Sequence, residues 1–351
     1  MIYAPILIPT LNRDEHLKRL LDSLALNGWA IYTDVYIAVD YPPSDKYVEG
    51  YHRVCDLLDH FDGSTFNSFN VVKRDFNLGA GVNGHELIEA LIKPRYDRWI
   101  YSEDDLEFSP NFIEYMDKCL DRFADDDGVY SVCGYSYPLN WNLSEGSTVF
   151  MTQATYSAWG TGQWRDKHQE GRDVIVHQHY LFSNADRAFK SGIVDAMIPG
   201  RKSEYVSYVM LGACEREMET ATDMAFGPYL LLSDKKVIVP AVSKVRNLGF
   251  DGSGVNCSSI DSFTGKHSLD YDYSSQPIDQ SATFELSIDE SPDHIAANHR
   301  LIGNYLYVSP RLQLSEFIGL LLYKVFGLKG RSLGRFFYLN IRNIYKKIKH
   351  W

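Results

Sequence analysis

Three consecutive acids, Glu103-Asp104-Asp105, follow the apolar run Trp99-Ile100-Tyr101 and precede Leu106-Glu107-Phe108. Adjacent carboxylates at the end of a buried strand repel one another and resist desolvation. They persist cheaply where something positive faces them, and a divalent cation is the simplest candidate. Hard cations prefer carboxylate oxygens, and magnesium or manganese commonly takes one or two protein carboxylates together with substrate phosphates. The triplet therefore reads as the place where a nucleotide diphosphate is held through Mn2+ or Mg2+. The plainer alternative is a solvated turn after an edge strand.

The elements that must position this triplet are legible upstream. Ile6-Leu7-Ile8 and Val35 to Val39 are short apolar runs, the pattern of buried parallel strands. The first ends in Pro9-Thr10 and the second in Asp40. Between them Leu17, Leu20, Leu21 and Leu24 fall at helical spacing, and Asn27-Gly28 ends that helix. A second helix carries Tyr47, Tyr51, Val54, Leu57 and Leu58. Phe69 to Arg74 is a third strand, opening into Asn77-Leu78-Gly79-Ala80-Gly81-Val82-Asn83-Gly84, with a helix expected over Glu86 to Ile92. The fourth strand, Arg98 to Ser102, delivers the acids. Alternating strands and helices predict a doubly wound α/β half whose ligands gather at the carboxyl ends of the strands. Asp40, Arg74, Asn77 and residues 103–105 all fall at that edge. The glycine-rich run is either a tight turn or a close backbone approach to a nucleotide, with Arg74 near its phosphates or base. It has neither the G-x-G-x-x-G dinucleotide spacing nor a Walker lysine.

Further along, Val129 to Cys133, Val149 to Gln153 and Lys236 to Ala241 read as strands, the last taken as the end of the main domain. Residues 185–220 read as helical. Trp159 and Trp164 beside Gly160 and Gly162 form a candidate flat platform for a sugar, the alternative being a hydrophobic staple at a helix start. Arg246 to Asn256 is a glycine-rich loop long enough to be a lid. Residues 258–293 are rich in Ser and Asp, and an irregular surface excursion is expected there. The division expected is a nucleotide-binding α/β domain over 1–257, an irregular extension over 258–309 and a basic amphipathic helical tail over 310–351.

The 351 residues are 45% hydrophobic, enough for one large domain with a full core. Net charge is −11, which excludes nucleic acid as a partner of the body by bulk electrostatics. The charge is uneven: from Lys324 to Trp351 there are eight Lys or Arg and no acid. With Leu314, Phe317, Ile318, Leu321 and the aromatics beyond, residues 312–351 read as a segment that lies on an anionic membrane surface. The alternative is a helix packed on the domain with a solvated basic face. Five widely spaced cysteines without a C-x-x-C pair imply reduced thiols and no zinc site. Neither a leader nor an apolar run of about 18 residues is present in the sequence, so a cytoplasmic protein, peripheral on the inner face of the plasma membrane, is expected.

These motifs together resemble the GT-A nucleotide-sugar glycosyltransferases, the inverting branch of family two and its relatives. Pro5-Ile6-Leu7-Ile8-Pro9-Thr10-Leu11-Asn12-Arg13 is similar to their opening strand and turn, Asp40 to the second-strand acid that holds the base, and Asn77-Leu78-Gly79 with Asn83 to their N-x-G stretch. Glu103-Asp104-Asp105 resembles their D-x-D motif, in the E-D-D form of N-acetylglucosaminyltransferase I. Residues 159–164 and 240–250 are similar to blocks in bacterial polysaccharide transferases. The resemblance implies a mixed, mostly parallel sheet flanked by helices. It implies a donor site of Pro9, Thr10, Asn12, Arg13, Asp40, Arg74, Asn77, Gly79, Asn83, Glu103 and Asp104, with metal on Asp105. It implies a sugar or acceptor platform of Trp159, Gly160 and Trp164. It also implies a carboxylate base late in the domain, for which Asp223 matches best and Glu219 and Glu217 follow. The expected partners are a nucleoside-diphosphate sugar and a saccharide or lipid-linked acceptor. The rival readings are a nucleotidyltransferase, which would want a basic glycine-rich signature after the first strand, and a non-catalytic sugar-binding protein.

Overall fold

The computed structural model describes residues 2–153, 155–177, 226–227, 229–230, 233–253 and 273–305, with single positions at 318 and 325. It begins β1 (Ile6–Thr10), α1 (Asp14–Ala25), β2 (Asp34–Val39), α2 (Asp45–His60), β3 (Ser68–Lys73) and α3 (Ala80–Leu87), which widens into a π turn over Ile88–Ile92. It continues β4 (Arg98–Tyr101), β5 (Leu106–Phe108), α4 (Phe112–Arg122), β6 (Val129–Cys133), β7 (Val149–Thr152), β8 (Thr161–Trp164) and α5 (Arg165–Arg172). The described part ends with β9 (Lys236–Pro240), β10 (Val245–Asn247), β11 (Ile288–Asp289) and α6 (Pro292–Tyr305).

Nine strands form one sheet in the order β11-β7-β9-β6-β8-β4-β1-β2-β3, and β5 and β10 pair apart from it. The run β4-β1-β2-β3 is parallel, as are β6 with β9 and β7 with β11. The period-2 alternation of a strand sets the layers. Ile6, Ile8, Val35, Ile37 and Val39 face one side and bury with Leu17, Leu20, Leu21 and Leu24 of α1, Val54 and Leu58 of α2, and Phe112, Met116 and Leu120 of α4. Leu7, Tyr36, Ala38 and Trp99 face the other side and bury with Leu87, Ile88 and Ile92. Each fully buried leucine here contributes on the order of 2 kcal/mol. The fold is thus the mixed, mostly parallel α/β sheet flanked by helices that the resemblance implied.

Order β4-β1-β2-β3 has a functional consequence. The chain leaves β1 toward β2 and β3, then crosses back through α3 to place β4 on the other side of β1. The crevice where the direction reverses lies beyond the carboxyl ends of β1 and β4, the usual ligand position in open α/β sheets.

Three expectations are corrected. Helix α3 starts at Ala80, not Glu86, so most of the glycine-rich run is helix. Gly79, with φ +79°, turns the chain at its start. Gly84 packs against Tyr101, where a Cβ would lie 3.2 Å from the ring. Lys236–Pro240 is not the last strand, because β10 and β11 follow. Of the extension expected to be irregular over 258–309, residues 276–287 carry no helix or strand, but β11 extends the main sheet alongside β7, and α6 docks by His299 Nε2 accepting the Gln153 amide at 3.1 Å. The Ser/Asp-rich composition misled because Asp289 and Asn298 serve as internal fasteners: Asp289 accepts the Ser144 and Ser291 amides, and Asn298 accepts the Asn142 amide. The antiparallel strand β8, which separates β4 from β6, makes the sheet mixed in its middle, as expected.

Among the described residues no helix is long and apolar enough to cross a membrane. Cys55, Cys119 and Cys133 are free thiols, and burial pushes Cys133 up to about 12. The predicted helical stretch 185–220 and the basic tail, apart from positions 318 and 325, lie outside the described residues.

Candidate functional site

The crevice between β1 and β4 collects the residues the sequence singled out. Beyond β4 the chain turns through Ser102–Asp105 and re-enters as β5. Thr10, the last residue of β1, donates its hydroxyl to Asp104 Oδ2 at 2.7 Å. Arg13 lies just before α1 and makes no capping contact with its side chain. Its guanidinium instead reaches the acids, with Nη1 on Asp105 Oδ2 at 2.8 Å and Nη2 on Asp104 Oδ1. Both aspartates are buried. The positive partner that the acid cluster demanded is therefore Arg13 in this structure.

Burial pushes the Asp104 carboxyl up, Arg13 pulls it back, and neighbouring Asp105 adds to the upward push. Burial opposes the charge on Arg13, yet the two carboxylates outweigh it and hold the guanidinium firmly protonated. Asp105 Oδ1 is buried and has no hydrogen-bond partner among the described residues. A buried carboxylate oxygen without a donor is costly, and it is what a metal ligand looks like before its metal is added. Among the described residues no group of three or more His, Cys, Asp or Glu converges on a point. Magnesium or manganese held by one or two carboxylates plus substrate phosphates requires no third such residue. The pair of carboxylates on Asp104 and Asp105 is a donor set of the type such an ion takes.

A second segment closes one flank of the acids. β10 pairs antiparallel with β5, setting Asn247 opposite Leu106. The chain then passes Asp105, whose carbonyl accepts the Leu248 amide at 2.8 Å. Gly249 follows, its amide donating to Asn247 Oδ1 at 2.7 Å. A Cβ on Gly249 would lie 2.0 Å from Asp105 Oδ2, so only glycine fits against that carboxylate. His16 of α1 holds the same loop, with Nε2 3.2 Å from Asp251 and 3.4 Å from the Leu248 carbonyl. Sequence reading took 246–256 as a loop but did not foresee Gly249 and His16. The Asn247-Leu248-Gly249 stretch was visible; the pairing that carries it to Asp105 was not.

Beyond β2 and β3 stands a second cluster. Asp40 is 3% exposed, and its carboxylate accepts the amides of Tyr41, Leu78 and Gly79 at 2.8–2.9 Å and Asn77 Nδ2 at 3.1 Å. Its oxygens are thus taken up by the 77–79 loop, and it shapes that loop instead of offering a free carboxylate to a base. Arg74 Nε donates to Asn83 Oδ1 at 2.9 Å, and buried Asn83 donates on to the Ala38 carbonyl at 2.8 Å. Arg74 and Asn83 are joined to the end of β2 in this way. Pro9 ends beside Gly84, Asn12 backs against Gly50, and Glu103 is half-buried at the β4 tip.

The two tryptophans separate. β8 runs antiparallel to β4 with Thr161 opposite Tyr101 and Trp164 opposite Arg98. Trp159 and Gly160 therefore enter at the carboxyl edge of β4, while Trp164 ends about 10 Å away at the amino edge. Trp159 is half-buried, edge-on to Tyr135 at 4.6 Å and to Phe250 at 5.7 Å. Gly160 has φ +63°, and a Cβ there would press on Phe112 and Val245. Trp164 is in the core, with its indole N–H donating to the Leu120 carbonyl and Lys167 over its ring. It cannot be part of an exposed platform. Asp223, Glu217 and Glu219 lie outside the described residues.

No protein-family model matches the chain, and no curated protein matches it. Among solved structures it is similar to S. aureus TarS 1-349 in complex with UDP-GlcNAc, at 14% identity and a TM-score of 0.34, over 49% of this chain and 48% of that one. It is similar to the mannosyltransferase PcManGT from Pyrobaculum calidifontis in complex with GDP-Man and Mn2+, at 13% identity and a TM-score of 0.33, over 47% and 45%. It also overlaps the WbbM bifunctional glycosyltransferase at 10% identity and a TM-score of 0.26, over 66% and 37%. The matched region thus spans about half the length of TarS 1-349 and of PcManGT. Overlap this slight leaves the activity to be argued from the site.

Proposed function

We propose that the chain is a metal-dependent, inverting glycosyltransferase of the GT-A class, taking a hexosyl or N-acetylhexosaminyl group from a nucleoside-diphosphate sugar, UDP-sugar favoured, to a saccharide or lipid-linked acceptor in surface polysaccharide synthesis. The observation that carries this reading is the buried Asp105 Oδ1, without a hydrogen-bond partner among the described residues, at the crevice where the β1–β4 order reverses. The 77–79 loop, shaped by Asp40, with Arg74 and Asn83 behind it, lies on the neighbouring strand ends, where the nucleoside would sit.

The chemistry that bound Mn2+ or Mg2+ supplies here is neutralisation of charge on the leaving diphosphate. Asp105 and Asp104 would hold the ion, and Thr10 fixes the Asp104 carboxylate for that task. The acceptor oxygen attacks the anomeric carbon as the bond to the diphosphate oxygen breaks, the bonding pair leaving with the diphosphate. The acceptor hydroxyl proton passes to a carboxylate on the opposite face, for which Asp223 is the assigned base, with Glu219 and Glu217 next. Trp159 and Gly160 would border the sugar. The basic residues of 312–351 would draw the protein to an anionic membrane surface on the cytoplasmic side.

The test is release of nucleoside diphosphate from a panel of UDP- and GDP-sugars with Mn2+ and candidate acceptors. Turnover that disappears in Asp105→Asn and with EDTA supports the reading. Asp223→Asn should abolish transfer while nucleotide still binds, and normal turnover in that variant removes Asp223 from the role.

A further inference from the structure

We propose that Arg13 is an exchangeable counter-ion: it neutralises Asp104 and Asp105 while the crevice is empty, gives up these carboxylates when a divalent cation arrives, and turns its guanidinium to the diphosphate that comes with it. The inference rests on Asp105 being the metal ligand.

Three observations support it. First, Arg13 bridges both carboxylates in the place where a cation is wanted. The trio carries one net negative charge with Arg13 in place, so a divalent ion added without movement would leave two cations against each other in a poorly solvated crevice. Second, the partners differ in freedom. The aspartate side chains are 7–8% exposed, whereas that of Arg13 is 18% exposed. Asp104 is tied by Thr10, and Asp105 is backed by Gly249. Arg13 sits on a long stem at the start of α1, and its side chain makes no capping hydrogen bond there. The arginine is the member able to move. Third, Oδ2 of Asp105 is occupied by Arg13 while Oδ1 has no hydrogen-bond partner among the described residues. One oxygen of the carboxylate thus lacks a donor, and the arginine covers the other. A planar guanidinium suits phosphate as well as carboxylate, so the released side chain has a destination.

The test compares the wild-type chain with Arg13→Gln by calorimetric titration of Mn2+ alone, then of UDP and of GDP at saturating Mn2+. The exchange predicts that Arg13→Gln binds Mn2+ at least tenfold tighter, because the competitor is gone, and the nucleoside diphosphate at least tenfold weaker. It also predicts a lower melting temperature than wild type in EDTA, a gap that Mn2+ closes. If the variant does not fold in EDTA, Arg13→Lys is titrated instead, since lysine keeps the charge without the two-pronged bridge and should show the same directions. Wild type binding Mn2+ while the variant binds it equally or more weakly overturns the exchange and makes Arg13 a fixed strut, leaving the metal reading intact. Absence of Mn2+ binding in both proteins overturns the metal reading and the exchange with it.

Discussion

Asp40→Asn separates a loop-shaping acid from a ligand-binding one. The carboxylate receives two N–H groups on each oxygen: Tyr41 and Leu78 amides on Oδ1, Gly79 amide and Asn77 Nδ2 on Oδ2. Asparagine has the same shape but replaces one oxygen with an NH2 group. Whichever way the amide turns, two donors face a donor. A stranded polar group costs about 1–3 kcal/mol, and hydrogen bonds to a charge fall in the upper half of the scale. In either orientation one of the two belongs to an exposed residue, Tyr41 or Asn77, where water can recover part of the loss. The expected penalty is about 2–4 kcal/mol, or a fall in melting temperature of about 4 °C or more for a domain of this size. The assay is urea and thermal unfolding without nucleotide, followed by nucleotide titration. Unchanged unfolding, within about 0.5 kcal/mol, together with a tenfold loss of nucleotide affinity, would refute the reasoning, because the carboxylate would then face the ligand and not the loop.

Gly249→Ala should displace the Asp105 carboxylate and abolish Mn2+ binding and turnover while circular dichroism stays unchanged; retained Mn2+ affinity would show that the 249–105 contact is not tight. Trp164→Ala should cost about 3–5 kcal/mol of stability with KM unaltered, whereas Trp159→Ala should raise KM with a smaller effect on unfolding; the reverse pattern would undo the separation of the two indoles. Asp117, whose Oδ1 accepts the Ala4 amide, is pushed up by burial to about 7, with Arg98 partly opposing. A carboxyl with a raised folded-state value gives stability that is present at low pH and is lost as pH rises through that value. This group's contribution therefore declines between about pH 4 and pH 7. Asp117→Asn should remove that decline, and a variant with an unaltered pH slope in urea unfolding would contradict the assignment.

The sequence exposed more of the parallel half than of the rest for a physical reason. Buried parallel strands such as Ile6-Leu7-Ile8 and Val35 to Val39 are continuous apolar runs, and the helices between them repeat leucines every three or four residues. Both signals are local. Thr10, Asp104 and Asp105 were each legible as strand-end residues, Arg13 came in with the resemblance, and the strand order that joins them follows from the crossover. What eluded the reading depends on pairing across the chain. Thr161-Gly162-Gln163-Trp164 has no apolar alternation to announce a strand, and only its register with β4 sends Trp159 to one edge and Trp164 to the other. Gly249 meets Asp105 because β10 pairs with β5 across 139 residues, as Arg246 meeting Glu107 at 3.0 Å also shows. The acidic triplet was read as needing an external cation, since a residue 90 positions earlier gives no local sign that it will fold back. Polar fasteners such as Asp289 and Asn298 look like solvated loop residues until their partners are known.

The most direct measurement is calorimetric titration of UDP and GDP into the chain, with and without Mn2+, in parallel with Asp105→Asn. The account predicts saturable, manganese-dependent binding of at least one of the two nucleotides to the native chain and its loss in the variant. Equal binding with and without Mn2+, or equal binding by both proteins, would contradict the claim that Asp105 holds the cation that anchors the donor.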